Sequence, residues 1–191
     1  MTESSIGPKI SGQKPVLASS PTGTQPLEND DLAQRSEVIT AVYHLEKGAL
    51  RLRPEHHDLP GWPPGEAENY TPILEACYDR DGWLYGLFDD QRLIGAAVLE
   101  SHFIGKSGHQ LQLKFLHISR PYRHRGWGQQ LFGLAQGEAT QRGAKSLYIS
   151  TTPSEGTIGF YLRLGCTVTS EPDPELLELE PEDIHFEYAL A

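Results

Sequence analysis

Residues 113–131 hold the strongest constraint on how this chain folds. Leu113, Phe115, Leu116 and Ile118 form an apolar strand, and a helix follows from about Trp127 to Arg142, stopped by Gly143. Between them lie Arg120, Arg123, His124 and Arg125, then Gly126 and Gly128. The first N–H groups of a helix have no intrachain acceptor, and the helix dipole adds about half a positive charge at that end. Glycine lets a ligand approach the backbone without a Cβ in the way. A strand, a cationic glycine turn and a helix in this order make an anion site suited to a pyrophosphate.

Spacing excludes two commoner phosphate motifs. A dinucleotide loop requires a third glycine where Leu131 stands. A nucleoside-triphosphate loop requires a glycine where Glu100 stands, ahead of Gly105-Lys106-Ser107, and a helix after it. No helix follows, so that tripeptide reads as a hairpin turn.

The rest of the chain supplies the elements around the turn. In residues 1–27, 15 positions are Ser, Thr, Gly or Pro and the apolar residues have no period, so residues 1–36 are expected to form a disordered tail. One domain is expected over 37–191. Val38 to Tyr43 and Ala49 to Arg53 read as a hairpin turned at Gly48, and the Pro-rich stretch from Pro54 to Pro64 reads as loop. Tyr70, Ile73, Leu74 and Cys77 mark one face of a helix over Ala67–Tyr78. Strands are expected over 83–88, 92–103, 110–119, 145–151, 166–169 and 184–190, with a short helix over 155–164. This order predicts a mixed α/β domain built on one central sheet.

Charge narrows the partners. The chain has 26 acidic against 16 basic residues, a net charge of −10, which argues against nucleic acid as a partner and favours small cationic ones. Eight of the acids lie between Glu171 and Glu187, a stretch with no Lys or Arg, read as an acidic loop. Two cysteines, Cys77 and Cys166, make no disulfide framework and suit a reducing compartment. No apolar run approaches the ~18 residues of a membrane span, and no signal pattern opens the chain, so a cytoplasmic location is expected. His56-His57-Asp58 invites a metal reading, but neighbours in extended chain point opposite ways, and no metal is expected.

Arg123-His124-Arg125-Gly126-Trp127-Gly128 resembles the Arg/Gln-x-x-Gly-x-Gly/Ala signature of the GNAT superfamily of N-acetyltransferases, as a bacterial-type single-domain member. Ser154 to Cys166 strengthens the likeness, because it resembles the family's Asn-x-x-Ala-x-x-Phe-Tyr-x-x-x-Gly-Phe segment through Phe160, Tyr161 and Gly165. Ser154, Thr157 and Cys166 depart from it. The resemblance covers roughly residues 37–191. It implies an α/β fold with a mostly antiparallel central sheet, splayed between its fourth and fifth strands and flanked by helices.

The resemblance also implies a chemistry: transfer of an acetyl group from acetyl-CoA to a primary amine by direct attack, with no metal. The pyrophosphate would rest on Arg123, His124, Arg125, Gly126, Trp127, Gly128 and Gln129, with Ser154 added to the cofactor set. The pantetheine arm would pair with backbone groups of Leu116 and Ile118, one of whose N–H groups would polarise the thioester carbonyl. Tyr161 matches the family's proton donor to the departing thiolate, and a phenol suits that task. For the base the residues leave three candidates: Glu100, His102 and His117, the last on the strand that holds the thioester. An imidazole, with an ordinary pKa near ~6.5, suits the role. The expected acceptor is a small, cationic amine, and the protein a monomer or homodimer. Two alternatives stand beside this reading, a protein or peptide N-acetyltransferase and a non-catalytic acyl-CoA-binding module.

Overall fold

The computed structural model describes residues 36–61, 66–89 and 92–190, so the expected N-terminal tail lies outside the described residues. A hairpin comes first, strands β1 (Glu37–Glu46) and β2 (Ala49–Leu59), turned by Lys47 and Gly48 with positive φ. Helix α1 (Glu66–Asp79) follows, then strands β3 (Trp83–Asp89), β4 (Arg92–Ile104) and β5 (Gln110–Ile118). A 3-10 turn at Arg120–Tyr122 leads into α2 (Trp127–Gln141). The chain closes with β6 (Ser146–Thr151), α3 (Glu155–Leu164), the short β7 (Thr167–Val168), α4 (Pro174–Leu179) and β8 (Ile184–Ala189).

Six strands form the central sheet in the order β3-β4-β5-β6-β8-β7, and every neighbouring pair is antiparallel except β5 with β6. The fold is therefore the expected mixed α/β architecture. The hairpin departs from the expectation of one sheet: β1 and β2 make a separate two-stranded sheet. It joins the domain through Tyr43 N–H to Pro153 O at 2.7 Å and a bridge between Val42 and Ser154. β2 also runs through Pro54, where the sequence suggested loop. It is an edge strand paired only with β1, a position that tolerates the missing proline N–H.

The core lies between the sheet and the helices α2 and α3. Leu99, Leu111, Leu113, Leu147, Ile149 and Phe186 face Leu131, Phe132, Ala135 and Ile158. Two bulges decide which residues join it. Leu87 pairs with Gly95 and Phe88 with Leu93, so Ile94 is an extra residue on β4. The alternation shifts there, and Ile94 enters the core with Ala97 and Leu99. An unbroken period of two would put Ile94 on the face of Ala96, Val98 and Glu100 instead. On β5, Phe115 pairs with Val98 and Leu113 with Leu99, which leaves Lys114 as the extra residue.

Candidate active site

β5 and β6 pair in parallel only from Gln110–Ser146 to Gln112–Tyr148. Beyond that fork no ladder joins them, and the two strands part on the way to the turn that enters α2. The backbone of β5 past the fork has a fixed direction. Ser119 N–H donates to Ile94 O on β4 at 2.8 Å, so by the antiparallel alternation Ile118 and Leu116 turn their N–H and C=O groups away from β4, into the gap. The structure thus places the two residues expected to hold the pantetheine with their backbone along the open edge. Their side chains pack into the α2 side of the sheet, and His117 between them faces the opposite side with Phe115, ring centroids 6.1 Å apart.

The expected anion turn sits at the mouth of the gap. Gly126 is the N-cap of α2, with φ 85° and no side-chain cap, and no acidic residue lies in the first turn. The N–H groups of Trp127, Gly128 and Gln129 therefore open outward without intrahelical acceptors. His124 also has positive φ, 61°. The cations are used unevenly. Arg123 turns inward, donating from Nε to Ile118 O at 2.9 Å and lying 3.4 Å from Glu37 through Nη1. Arg125 lies over the Tyr122 ring, and it and His124 are exposed. Gly128 has a packing task within the protein: a Cβ there would stand 3.1 Å from Phe160 Cε2, so the glycine lets α2 meet α3.

Ser154 is also committed within the protein. It is buried, it caps α3 by accepting from Thr157 N–H at 3.3 Å, and it donates to Thr157 Oγ1 at 2.9 Å. Tyr161 lies on the inner face of α3 against Phe132, Phe160 and Phe186. Burial, with a smaller contribution from Cys166, pushes its phenol well above the usual range, which keeps it protonated.

The three base candidates do not converge. Glu100 is 1% exposed at the irregular stretch of β4, where four β4 steps match two on β5. It accepts from Lys114 Nζ at 2.8 Å and Arg80 Nη2 at 3.3 Å, with His102 Nδ1 at 3.4 Å. Burial alone would raise its carboxyl; the Lys114 hydrogen bond and charge outweigh that and hold it below the ordinary carboxylate value. His102 is exposed beside it. His117 lies opposite Ala96, four residues or about 13 Å along β4 from Glu100. Among the described residues no group of three side chains gathers to hold a metal, and His57 instead meets Glu55 at 3.4 Å. No helix among them is long and apolar enough to cross a membrane.

A parted parallel strand pair above an uncapped glycine-turn helix is the frame of an acyl-CoA-dependent acetyltransferase. The profile of the Acetyltransferase (GNAT) family matches residues 41–166, and the chain belongs to that family. Among solved structures it is similar to nourseothricin acetyltransferase, at 20% identity and a TM-score of 0.61 over 85% of this chain and 91% of that one. It is also similar to a Bacillus anthracis protein described as a streptothricin acetyltransferase, solved with acetyl coenzyme A (15% identity, TM-score 0.57, 87% and 90% covered). PaiA N-acetyltransferase from Thermoplasma acidophilum, solved with coenzyme A, aligns over 65% of this chain and 70% of its own, at 19% identity and a TM-score of 0.50. No curated protein sequence gives a significant match.

Proposed function

We propose that this protein moves an acetyl group from acetyl-CoA to a primary amine of a small, cationic compound. The observation that carries the reading is the fork: β5 and β6 separate after Gln112 and Tyr148, and β5 runs on unpaired with β6 to Ile118, whose turn leads into the uncapped first turn of α2. An extended thioester arm fits the open edge at Leu116 and Ile118, and its pyrophosphate fits the N–H groups at 127–129. A backbone N–H on that edge stabilises the oxyanion, a contribution commonly worth ~3 kcal/mol.

The amine nitrogen attacks the thioester carbonyl carbon, the tetrahedral centre collapses, and the carbon–sulfur bond breaks. Tyr161 supplies a proton to the departing thiolate, and the surplus proton of the newly acylated nitrogen replaces the one it gave. An ammonium with a solution pKa near ~10.4 must lose a proton before attack. Of the three candidates His117 fits that step best, because Glu100 is an ion-paired carboxylate with a depressed pKa and His102 stands beside it at the far end of β4. The acidic segment between β7 and β8, and the antibiotic acceptors named for the two full-length structural relatives, favour a cationic acceptor. The test is thiol release from acetyl-CoA with a panel of mono-, di- and polyamines including nourseothricin. Release should rise well above hydrolysis for polycationic amines; a panel that yields none overturns the proposal.

A further inference from the structure

The acidic segment between β7 and β8 is fastened to the sheet at both ends. At its start the Asp173 N–H donates to the Tyr148 hydroxyl at 2.8 Å. That hydroxyl lies 2.5 Å from His185 Nδ1. A backbone N–H only donates, so the Tyr148 O–H is free to donate onward to Nδ1, which puts the His185 hydrogen on Nε2. Nε2 is buried with no protein partner among the described residues. At the far end Ser150 Oγ donates to Asp183 Oδ2 at 2.8 Å. Burial pushes the Tyr148 phenol up to about 12; it also lowers His185 against the opposing pull of Asp173, so both rings are neutral.

The place of the fastening gives it a consequence. Tyr148 is the last β6 residue paired with β5, and Ser150 is the next residue on the same face, opposite the face that packs on α2. Both fastenings therefore stand at the fork of the proposed cleft. Asp173 adds its own side chain as cap of α4, accepting from Glu175 N–H and Leu176 N–H at 3.1 and 3.2 Å, so the clamp continues into the element that bears Glu175 and Glu178.

We infer that Tyr148, Ser150 and His185 are positioning residues for the acceptor: they clamp the acidic segment at the fork and fix its carboxylates where a polycationic amine enters. The inference rests on the acetyltransferase reading above, and its test separates the two. In the full-length protein, Tyr148→Phe removes both hydrogen bonds of the first fastening, and Ser150→Ala, a milder change, removes the second. Amide hydrogen exchange over 171–183 should accelerate about tenfold in either variant, while calorimetric affinity for acetyl-CoA stays within about twofold. With nourseothricin or 1,4-diaminobutane, KM for the amine should rise about tenfold at nearly constant kcat. Unchanged exchange in both variants overturns the clamp. Acetyl-CoA affinity falling in step with amine KM overturns the positioning role, since that signals general loosening. Absence of turnover by the unaltered protein overturns the acetyltransferase reading and with it the acceptor role, while the exchange result still decides the clamp.

Discussion

Replacing Gly128 tests whether that glycine clears space for a ligand or for the protein itself. A Cβ at this position would stand 3.1 and 3.3 Å from Cε2 and Cζ of Phe160 and 3.9 Å from Ile118 Cγ1. Carbon atoms prefer about 3.5–4.0 Å, so for alanine the Phe160 ring must yield by about 0.5 Å. Glycine-to-alanine exchange also restricts the unfolded chain, a gain of about 0.4–1 kcal/mol, and Gly128→Ala should be close to neutral. Valine adds two methyls to the same contact, an overpacking cost of about 1–3 kcal/mol. The strain falls on Phe160, whose ring stacks edge-on against Tyr161, and on the first turn of α2, so acetyl-CoA affinity should fall at least tenfold, about 1.4 kcal/mol. Urea denaturation and calorimetric titration read the two effects. If the clash is with Phe160, Gly128→Val combined with Phe160→Ala recovers most of the affinity, with a coupling of about 1–2 kcal/mol. A double variant that binds as poorly as Gly128→Val, while Phe160→Ala alone binds normally, would show that the valine strikes the ligand and would refute the packing argument. Gly126 is the control: its Cβ would meet nothing, but its φ of 85° makes Gly126→Ala cost about 1–2 kcal/mol of backbone strain that no change at Phe160 relieves.

Three further outcomes are expected. Tyr161→Phe should lower kcat about 10²-fold with KM for acetyl-CoA unchanged; since burial raises the phenol of Tyr161, its protonation imposes no fall in rate up to about pH 10, and steady-state kinetics across pH 6–10 check both points. His117→Gln should depress kcat with KM for acetyl-CoA nearly unchanged; a variant that retains full kcat would reassign the base. Glu100→Gln leaves the Lys114 ammonium, 21% exposed, beside a neutral amide and should cost toward about 3 kcal/mol at pH 7. Because the folded pKa of Glu100 is lowered, its stabilisation is present above the ordinary value of 4.5 and lost as pH falls below it, so urea midpoints of the two proteins should approach each other in acid.

The strand–turn–helix junction was legible in the sequence because its signals are local: Gly126 at a positive φ, Gly143 after the last turn of α2, and Gly165 closing α3 in the left-handed conformation. The strands were legible as elements but their faces were not. A one-residue bulge leaves no mark in a period-two pattern, and the extra residues at Ile94 and Lys114 each move their neighbours to the other side of the sheet. Helix α4 was hidden inside the acidic run, although Asp173-Pro174 is a cap followed by proline at the first helical position and could have revealed it. Glu100 reads as an available base in the sequence because its partners come from the turn after α1, from β4 and from β5, a meeting that only the assembled sheet produces.

The bulge at Lys114 connects these separate observations. The extra residue resets the alternation of β5, and from Phe115 onward the side chains of Leu116 and Ile118 enter the α2 side while that of His117 takes the opposite side. The same reset leaves the Leu116 and Ile118 amides facing the gap, because Ser119 and not Ile118 donates to β4. Lys114 itself, displaced from the ladder, reaches the Glu100 carboxylate at 2.8 Å across the irregular stretch of β4. A bulge costs ladder bonds, and a buried, hydrogen-bonded ion pair on the displaced residue offsets part of that cost. On this argument the charge of Glu100 serves the cleft without touching the reaction: neutralising it should disturb the register of β5, and hence acetyl-CoA affinity, before it disturbs the pH dependence of kcat.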